Sequence, residues 1–183
     1  MMDGESIAIN YLSKSLAELH CEITLLAMNT SKHYYNVGDS LPNELSHYKE
    51  VHFVDVNNKA TYFGAFLNLF SRDSYHVSRY HSKQFINKLI EILKAEKFDV
   101  IHLETLYLTQ FINIIRAHSN AKIVLRSHNV EFEIWERLSD NQNSIIMKVL
   151  LGYLTKKLKR FELKMLQKVD LLLPITQRDL KTF

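Results

Sequence analysis

The 183-residue chain holds a single cysteine, Cys21, which leaves no internal disulfide and no cysteine-based zinc or iron–sulfur site. No apolar run approaches the roughly 18 residues that span a bilayer. The N-terminus lacks a basic stretch followed by an apolar one, the mark of a signal peptide. A soluble cytoplasmic protein is the expectation, and one cysteine suits a reducing compartment. The common nucleotide and metal motifs are missing as well. There is no Gly-x-Gly-x-x-Gly, no Walker A sequence, no Asp-x-Asp, no His-Glu-x-x-His and no Gly-x-Ser-x-Gly elbow. The nine histidines are scattered without metal-pair spacing, and His118 and His128 come nearest the segment of interest below. The net charge of +3 and a pI near 8.8 are too weak to argue for nucleic acid. No internal repeat or low-complexity stretch occurs.

What is present describes an ordinary globular chain. Hydrophobic residues make up 46% and charged residues 23%, enough for a real core, and the length points to one domain over residues 1–183. Ten Phe and nine Tyr promise an aromatic-rich interior. Asp3-Gly4-Glu5-Ser6 looks like a loop, and a helical apolar stripe follows to about His20. Glu22–Met28 and Val51–Val56 have strand length, with a polar loop at 29–48 between them. Phe63, Phe66, Leu67 and Phe70 have helical spacing, and Ser82–Lys97 is a clear amphipathic helix. Then come a strand at Val100–Leu103, a crossover helix at Thr105–His118 and a strand at Lys122–Arg126. Residues 132–143 follow and hold the only tryptophan, Trp135. A long helix over Ser144–Lys168, a buried strand over Val169–Ile175 and a last helix from Thr176 complete the chain. Apolar strands alternating with helices predict an α/β fold, a Rossmann-like three-layer α/β/α arrangement around a mostly parallel sheet.

Two of these strands run into ionisable clusters. Val100–Leu103 leads into Glu104, and Lys122–Arg126 leads into Ser127, His128, Asn129 and Glu131. Parallel strands joined by a crossover helix place both ends at one edge of a sheet, where open α/β folds hold ligands. A histidine there can hydrogen-bond a hydroxyl or move a proton. Position alone equally supports a residue that caps the next helix. Glu104 can accept from sugar hydroxyls or pair with Arg126, and the ion pair is the simpler reading. Asp3-Gly4-Glu5 precedes a helix start, whose N–H groups can face an anion or merely be capped. The long helix carries Lys148, Lys156, Lys157, Lys159, Arg160, Lys164 and Lys168 against the single acid Glu162. Such a face is either solvated or apposed to anionic lipid.

The chain resembles the N-terminal domain of bacterial glycosyltransferases of the GT-B fold, in the group 1 (GT4) family. Gly4-Glu5-Ser6-Ile7-Ala8, Leu16-Ala17-Glu18-Leu19 and Glu22-Ile23-Thr24-Leu25-Leu26 look like that family's glycine loop, first helix and second strand. Phe98–Glu104, Val124–Glu131 with Trp135, and Glu162 with Val169-Asp170, Pro174-Ile175-Thr176 and Asp179 carry the rest of the likeness. The resemblance implies transfer of a sugar from a nucleotide-sugar to a polysaccharide or lipid-linked acceptor, with retention and without a metal or other cofactor. It implies that this half supplies the acceptor side of a cleft whose donor-binding C-terminal domain is absent, so that the isolated chain is inactive. His128 falls where the family places a histidine near the donor sugar and is the candidate catalytic residue. Gly4, Glu5, Glu104, Arg126, Asn129 and Glu131 are the candidate substrate-binding residues, although Glu5 stands where the family has a small residue. The family's first strand is not in the sequence. The sheet is therefore expected to close up, or to take an edge from another copy by pairing or strand exchange. Peripheral contact with the inner membrane face through Lys148–Lys168 is a further expectation. The alternative from another class is a non-catalytic α/β binding or assembly module. A response-regulator-like domain is a weaker third option, since it needs an acidic pocket at the end of a first strand.

Overall fold

The computed structural model describes residues 4–30, 34, 43–71 and 73–183, and for Gly4, Glu5 and Tyr62 the backbone only. The chain divides into two compact units, Met1–Asn57 and Asn58–Phe183, each with its own parallel sheet. The alternation of strand and helix is that of a Rossmann-like α/β protein, as the apolar strands predict.

In the first unit, helix α1 spans Gly4–Glu18, so the helix begins at Gly4 where the sequence predicts a loop. It ends in a left-handed residue, His20 (φ 63°), whose N–H bonds the Ala17 carbonyl while that of Cys21 bonds Leu16. Glycine usually fills such a position; a residue with a Cβ costs about 1 kcal/mol there. Strands β1 (Thr24–Thr30) and β2 (Glu50–Val56) pair in parallel, Thr24 against Glu50 through Thr30 against Val56. Asn29 Nδ2 donates to Asp55 Oδ1 across that ladder at 2.8 Å.

The second unit carries the three-stranded sheet β3-β4-β5, from Val100–Leu103, Lys122–Ser127 and Leu171–Pro174. Pairing among the described residues is thus confined to two sheets, and the ladder expected to close up is not formed within them. β4 is central, and its odd positions are buried, with Ile123 0% and Leu125 1% exposed. Helices α2 (Tyr62–Asn68), α3 (Tyr75–Ser78) and α4 (Lys83–Ala95) precede β3. Ser82 caps α4, its hydroxyl accepting from the Phe85 N–H, and Phe85, Leu89, Ile92 and Leu93 form the buried stripe.

The crossover from β3 to β4 differs from the uniform helix expected over 105–118. Leu106–Phe111 is a 3-10 helix, and only Ile112–His118 (α5) is α-helical. Two side chains in the tight segment bond carbonyls three residues back: Thr109 Oγ1 to Leu106 at 2.6 Å and Gln110 Nε2 to Tyr107 at 2.8 Å. These bonds compete with the α-helical ladder and favour the tighter turn. A further helix, α6 (Glu131–Asp140), forms where no element is read from the sequence, and packs on α7 (Ile145–Leu166). α8 (Gln177–Thr182) follows β5 and is capped by Thr176. Val77, Leu106, Val130, Phe132, Leu158 and Met165 make one core cluster, with Trp135 and Phe161 packed against it.

At the start of β5, Asp170 accepts the Ile123 N–H at 2.7 Å and pairs with Arg116 and with Lys122. The Ile123 N–H and the Arg116 guanidinium hold its carboxyl down at about 2. It ties β5 to β4 at the N-terminal edge of the sheet, opposite the strand ends discussed below.

Leu158 is fully buried, whereas Ile146 on the same helix is 79% exposed. Leu158→Ala should lower unfolding free energy by about 2–5 kcal/mol in urea titrations. Ile146→Ala should change it by less than about 0.5 kcal/mol.

Candidate functional site

The register of β3 on β4 pairs His102 with Val124 and Leu103 with Leu125. One step further, Glu104 meets Arg126. Side chains two apart on a strand share a face, so His102 and Glu104 from one strand face the same way as Arg126 and His128 from the next. Odd residues on these strands go into the core, and the four ionisable ones gather on the other face at the C-terminal edge.

Glu104 is the hub. His128 Nε2 lies 3.0 Å from its Oε2, which fixes the Nε2–H tautomer as donor. Arg126 donates to the same oxygen at 3.4 Å, and His102 Nδ1 stands 3.9 Å from Oε1. All four are half-buried, the side chains of His128 and Glu104 being 10% and 18% exposed. Burial lowers the His102 imidazole below its ordinary range, the Glu104 charge opposes that, and Arg126 and His128 reinforce it. The His102 Nε2 is buried and has no hydrogen-bond partner. Glu104 is thus already engaged by protein donors. Its carboxylate orients His128 and Arg126, with His102 in ionic reach, and His128 is the least exposed of the four.

The neighbouring residues are held by a second network. Ser127 Oγ donates to the Asn129 carbonyl at 2.7 Å, which shapes the turn after β4, and the Asn129 side chain is exposed. Glu131 opens α6 and accepts from the Tyr107 hydroxyl at 2.8 Å. Burial and the Glu131 carboxylate push the Tyr107 phenol well above its ordinary value. Glu162, 1% exposed on α7, accepts the Glu131 and Phe132 N–H groups at 3.1 and 3.0 Å, so a side chain from 30 residues away caps α6. Gly4 and Glu5 lie in the first turn of α1 in the other unit, and the Glu5 side chain falls outside what the structure describes.

No family model, curated protein or solved structure matches the chain.

Two corrections concern histidines. His118, expected near the key edge, ends α5 just before β4 begins and so lies at the opposite edge, its Nδ1 on the Ile114 carbonyl. His102 is the histidine that joins His128 instead. The signal for it was the two-residue spacing His102-x-Glu104, which puts both on one strand face. Glu162 had no such signal, because only tertiary contact brings it to α6. In the first unit, Ser13 Oγ lies 2.7 Å from His47 Nε2 and resembles a nucleophile–base pair. However, Ser13 is buried, bonds the Asn10 carbonyl, and also receives the Tyr48 hydroxyl, while His47 Nδ1 has no partner to orient it. That hydroxyl is a structural junction.

Two predictions follow from these charges. Glu104→Gln removes the negative charge that holds a proton on His102, so its titration, followed by NMR of the ring protons, should move further down. An unchanged His102 titration would show that the two are not coupled.

The second concerns pH. Burial pushes Glu162 up from 4.5 to about 7, and the charges of Glu131 and Glu133 add to this against the two N–H bonds. Its stabilising protonation is complete below pH 4.5 and is lost as pH rises through 7. His76, 2% exposed and in tilted contact with the Trp135 ring, centroids 3.8 Å apart, is lowered by burial and by Arg79 from 6.5 to about 4. Its contribution is complete above pH 6.5 and is lost as pH falls through 4. Each is on the order of 3 kcal/mol, and over pH 4.5–6.5 they oppose each other. Relative to the parent chain, Glu162→Gln should therefore gain stability as pH rises across this window, and His76→Phe should lose it. Chemical denaturation at several pH values reads both slopes.

Proposed function

We propose that this chain is the acceptor-side domain of a GT-B-type glycosyltransferase of group 1. The parent reaction moves a sugar from a nucleotide-sugar to a polysaccharide or lipid-linked acceptor. The observation that supports this reading is the His128–Glu104–Arg126 cluster, joined by His102, at the C-terminal edge of two adjacent parallel strands. That edge is where open α/β sheets bind ligands. Histidine suits a hydroxyl-rich substrate, because it can donate to or accept from a sugar hydroxyl and carry a positive charge near a departing diphosphate.

In this reading His128 orients the transferred sugar, and Glu104 is a positioning residue that sets its tautomer. Arg126 balances the Glu104 charge. Asn129, exposed in the turn beyond β4, offers an amide to the substrate. Glu131 is committed to Tyr107 and to the start of α6, so its part is to hold the turn. Transfer requires a donor-binding domain to close on this edge and exclude water, and the chemistry is positioning and electrostatic stabilisation, with retention and no metal. A cytoplasmic site facing the membrane suits lipid-linked acceptors.

Titrating the 183-residue chain with nucleotide-sugars and oligosaccharide acceptors, monitored by NMR of the histidine rings, tests the assignment. Expected are weak, saturable shifts at His128 that disappear in Glu104→Gln, and no sugar transfer by the chain alone. Silence of the histidines towards every nucleotide-sugar and glycan would remove the site. Turnover by the isolated chain would remove the need for a second domain.

A further inference from the structure

Helix α7 has an unusual outward face. Its buried side runs through Leu154, Leu158, Glu162 and Met165. On the opposite side, exposed residues recur every three or four positions as Ile146, Val149, Tyr153, Lys156, Arg160 and Lys164. The first half of this stripe is apolar and the second half is basic. Ile145 and Ile146 are 80% and 79% exposed, and Val149 is 67% exposed.

Helix α2 is turned the same way. Phe63, Phe66, Leu67 and Phe70 have the spacing of a buried helical stripe, yet Phe63 is 72% and Phe70 82% exposed. The small or polar positions Ala65 and Asn68 are the ones that go inside. The orientation follows from a tie to α7. The Lys157 ammonium is buried and donates to the Asn68 carbonyl, the Asn68 Oδ1 and the Ser71 carbonyl at 2.6–2.9 Å, so it caps the end of α2. Tyr153 donates to the Leu69 carbonyl at 3.4 Å. The end of α2 is therefore pinned beside the midpoint of α7, with Phe66 and Phe70 in edge-to-face contact. This places the aromatic face of α2 next to the stripe on α7, within one compact unit.

Scattered surface apolar groups are normal, but two adjoining helical stripes with three phenylalanines call for an occupant. The charge beside them selects it. Lys156, Arg160 and Lys164 pair with no acid among the described residues. Of the nearby acids, Asp140 and Glu136 are answered by Lys148 and Lys159, at 3.7 Å each, and Asp73 acts on the buried Lys157. A second copy of this stripe offers Lys156, Arg160 and Lys164 no acid to pair with, whereas an anionic lipid surface supplies both the opposite charge and an apolar layer. No helix among the described residues is long and apolar enough to cross a membrane. The geometry is that of a body lying on the interface with aromatic and aliphatic side chains inserted.

We propose that the α2–α7 face docks on an anionic lipid surface, with Phe63, Phe66, Phe70, Ile145, Ile146 and Val149 inserted and Lys156, Arg160 and Lys164 against the headgroups. This moves the contact from the whole basic run 148–168 to the apolar half of α7 together with α2, and removes Lys157 from it. It does not depend on the glycosyltransferase reading.

Co-sedimentation of the full chain with vesicles tests it. Vesicles of phosphatidylcholine mixed with phosphatidylglycerol should bind the protein, and phosphatidylcholine alone should bind it much more weakly. Binding should fall with salt, by roughly fivefold for each of Lys156→Gln, Arg160→Gln and Lys164→Gln. Phe66→Ser with Phe70→Ser, and separately Ile145→Ser with Ile146→Ser, should each weaken binding on the order of tenfold or more. These side chains are exposed, so far-UV circular dichroism should not change, and Lys94→Gln on α4 should bind like the parent. Failure to bind either vesicle, or binding insensitive to the phenylalanine and isoleucine changes, overturns the proposal. So does a parent chain that avoids vesicles but self-associates in solution until those same changes are made, which would assign the face to a second copy.

Discussion

The registration of β4 between β3 and β5 is the constraint on which the described site rests. Ile123 and Leu125 are almost without solvent contact, so a one-residue slip of β4 would turn them outward and bury Lys122, Val124 and Arg126 in their place. With that slip excluded, Glu104 must stand opposite Arg126, and His128 must emerge on the same face as both. Asp170 secures the same register from the other edge by accepting the Ile123 N–H. Core packing on one face of the strand thus dictates the charge geometry on the other.

A second buried carboxylate fixes what comes after the strand. Glu162 is desolvated on α7 and accepts two N–H groups at the start of α6, where the local sequence offers Val130 and no side-chain cap. That joins α7, α6 and the turn carrying His128 and Asn129 into one piece. It comes with a pH-dependent term, because burial favours the protonated carboxyl, and His76 carries a term of opposite sign. Both groups belong to the helical layer, so titrating either one acts on the support of the site. The four ionisable groups at the strand ends are a separate set.

The two proposed surfaces use opposite physics. The strand-edge cluster is polar, half-buried and rich in mutual hydrogen bonds, which suits a small hydroxyl-bearing ligand. The α2–α7 face is apolar and exposed, and its cations lie to one side, which suits an extended surface. The buried Lys157 connects the latter to the core: it spends its charge on the end of α2 and so sets the outward tilt of three phenylalanines.

Much of this was legible without coordinates. The apolar runs at 100–103 and 122–126 and the amphipathic pattern at 82–97 set the strands and α4 to within a residue or two, because local periodicity matches the burial those elements obtain. The pairing of Glu104 with Arg126 was also readable, since strand ends joined by a crossover must meet. Three things were not legible, the first and the last because tertiary contact decides them. α6 lacked a readable start because its cap is donated by Glu162 from α7. The crossover broke into a 3-10 segment because Thr109 and Gln110 turn back on their own backbone. The apolar stripes of α2 and of the first turns of α7 look in sequence like core, yet they face outward. Periodicity shows that a helix has an apolar side, but which side meets the core depends on where the neighbouring elements anchor it, here through Lys157 and Tyr153.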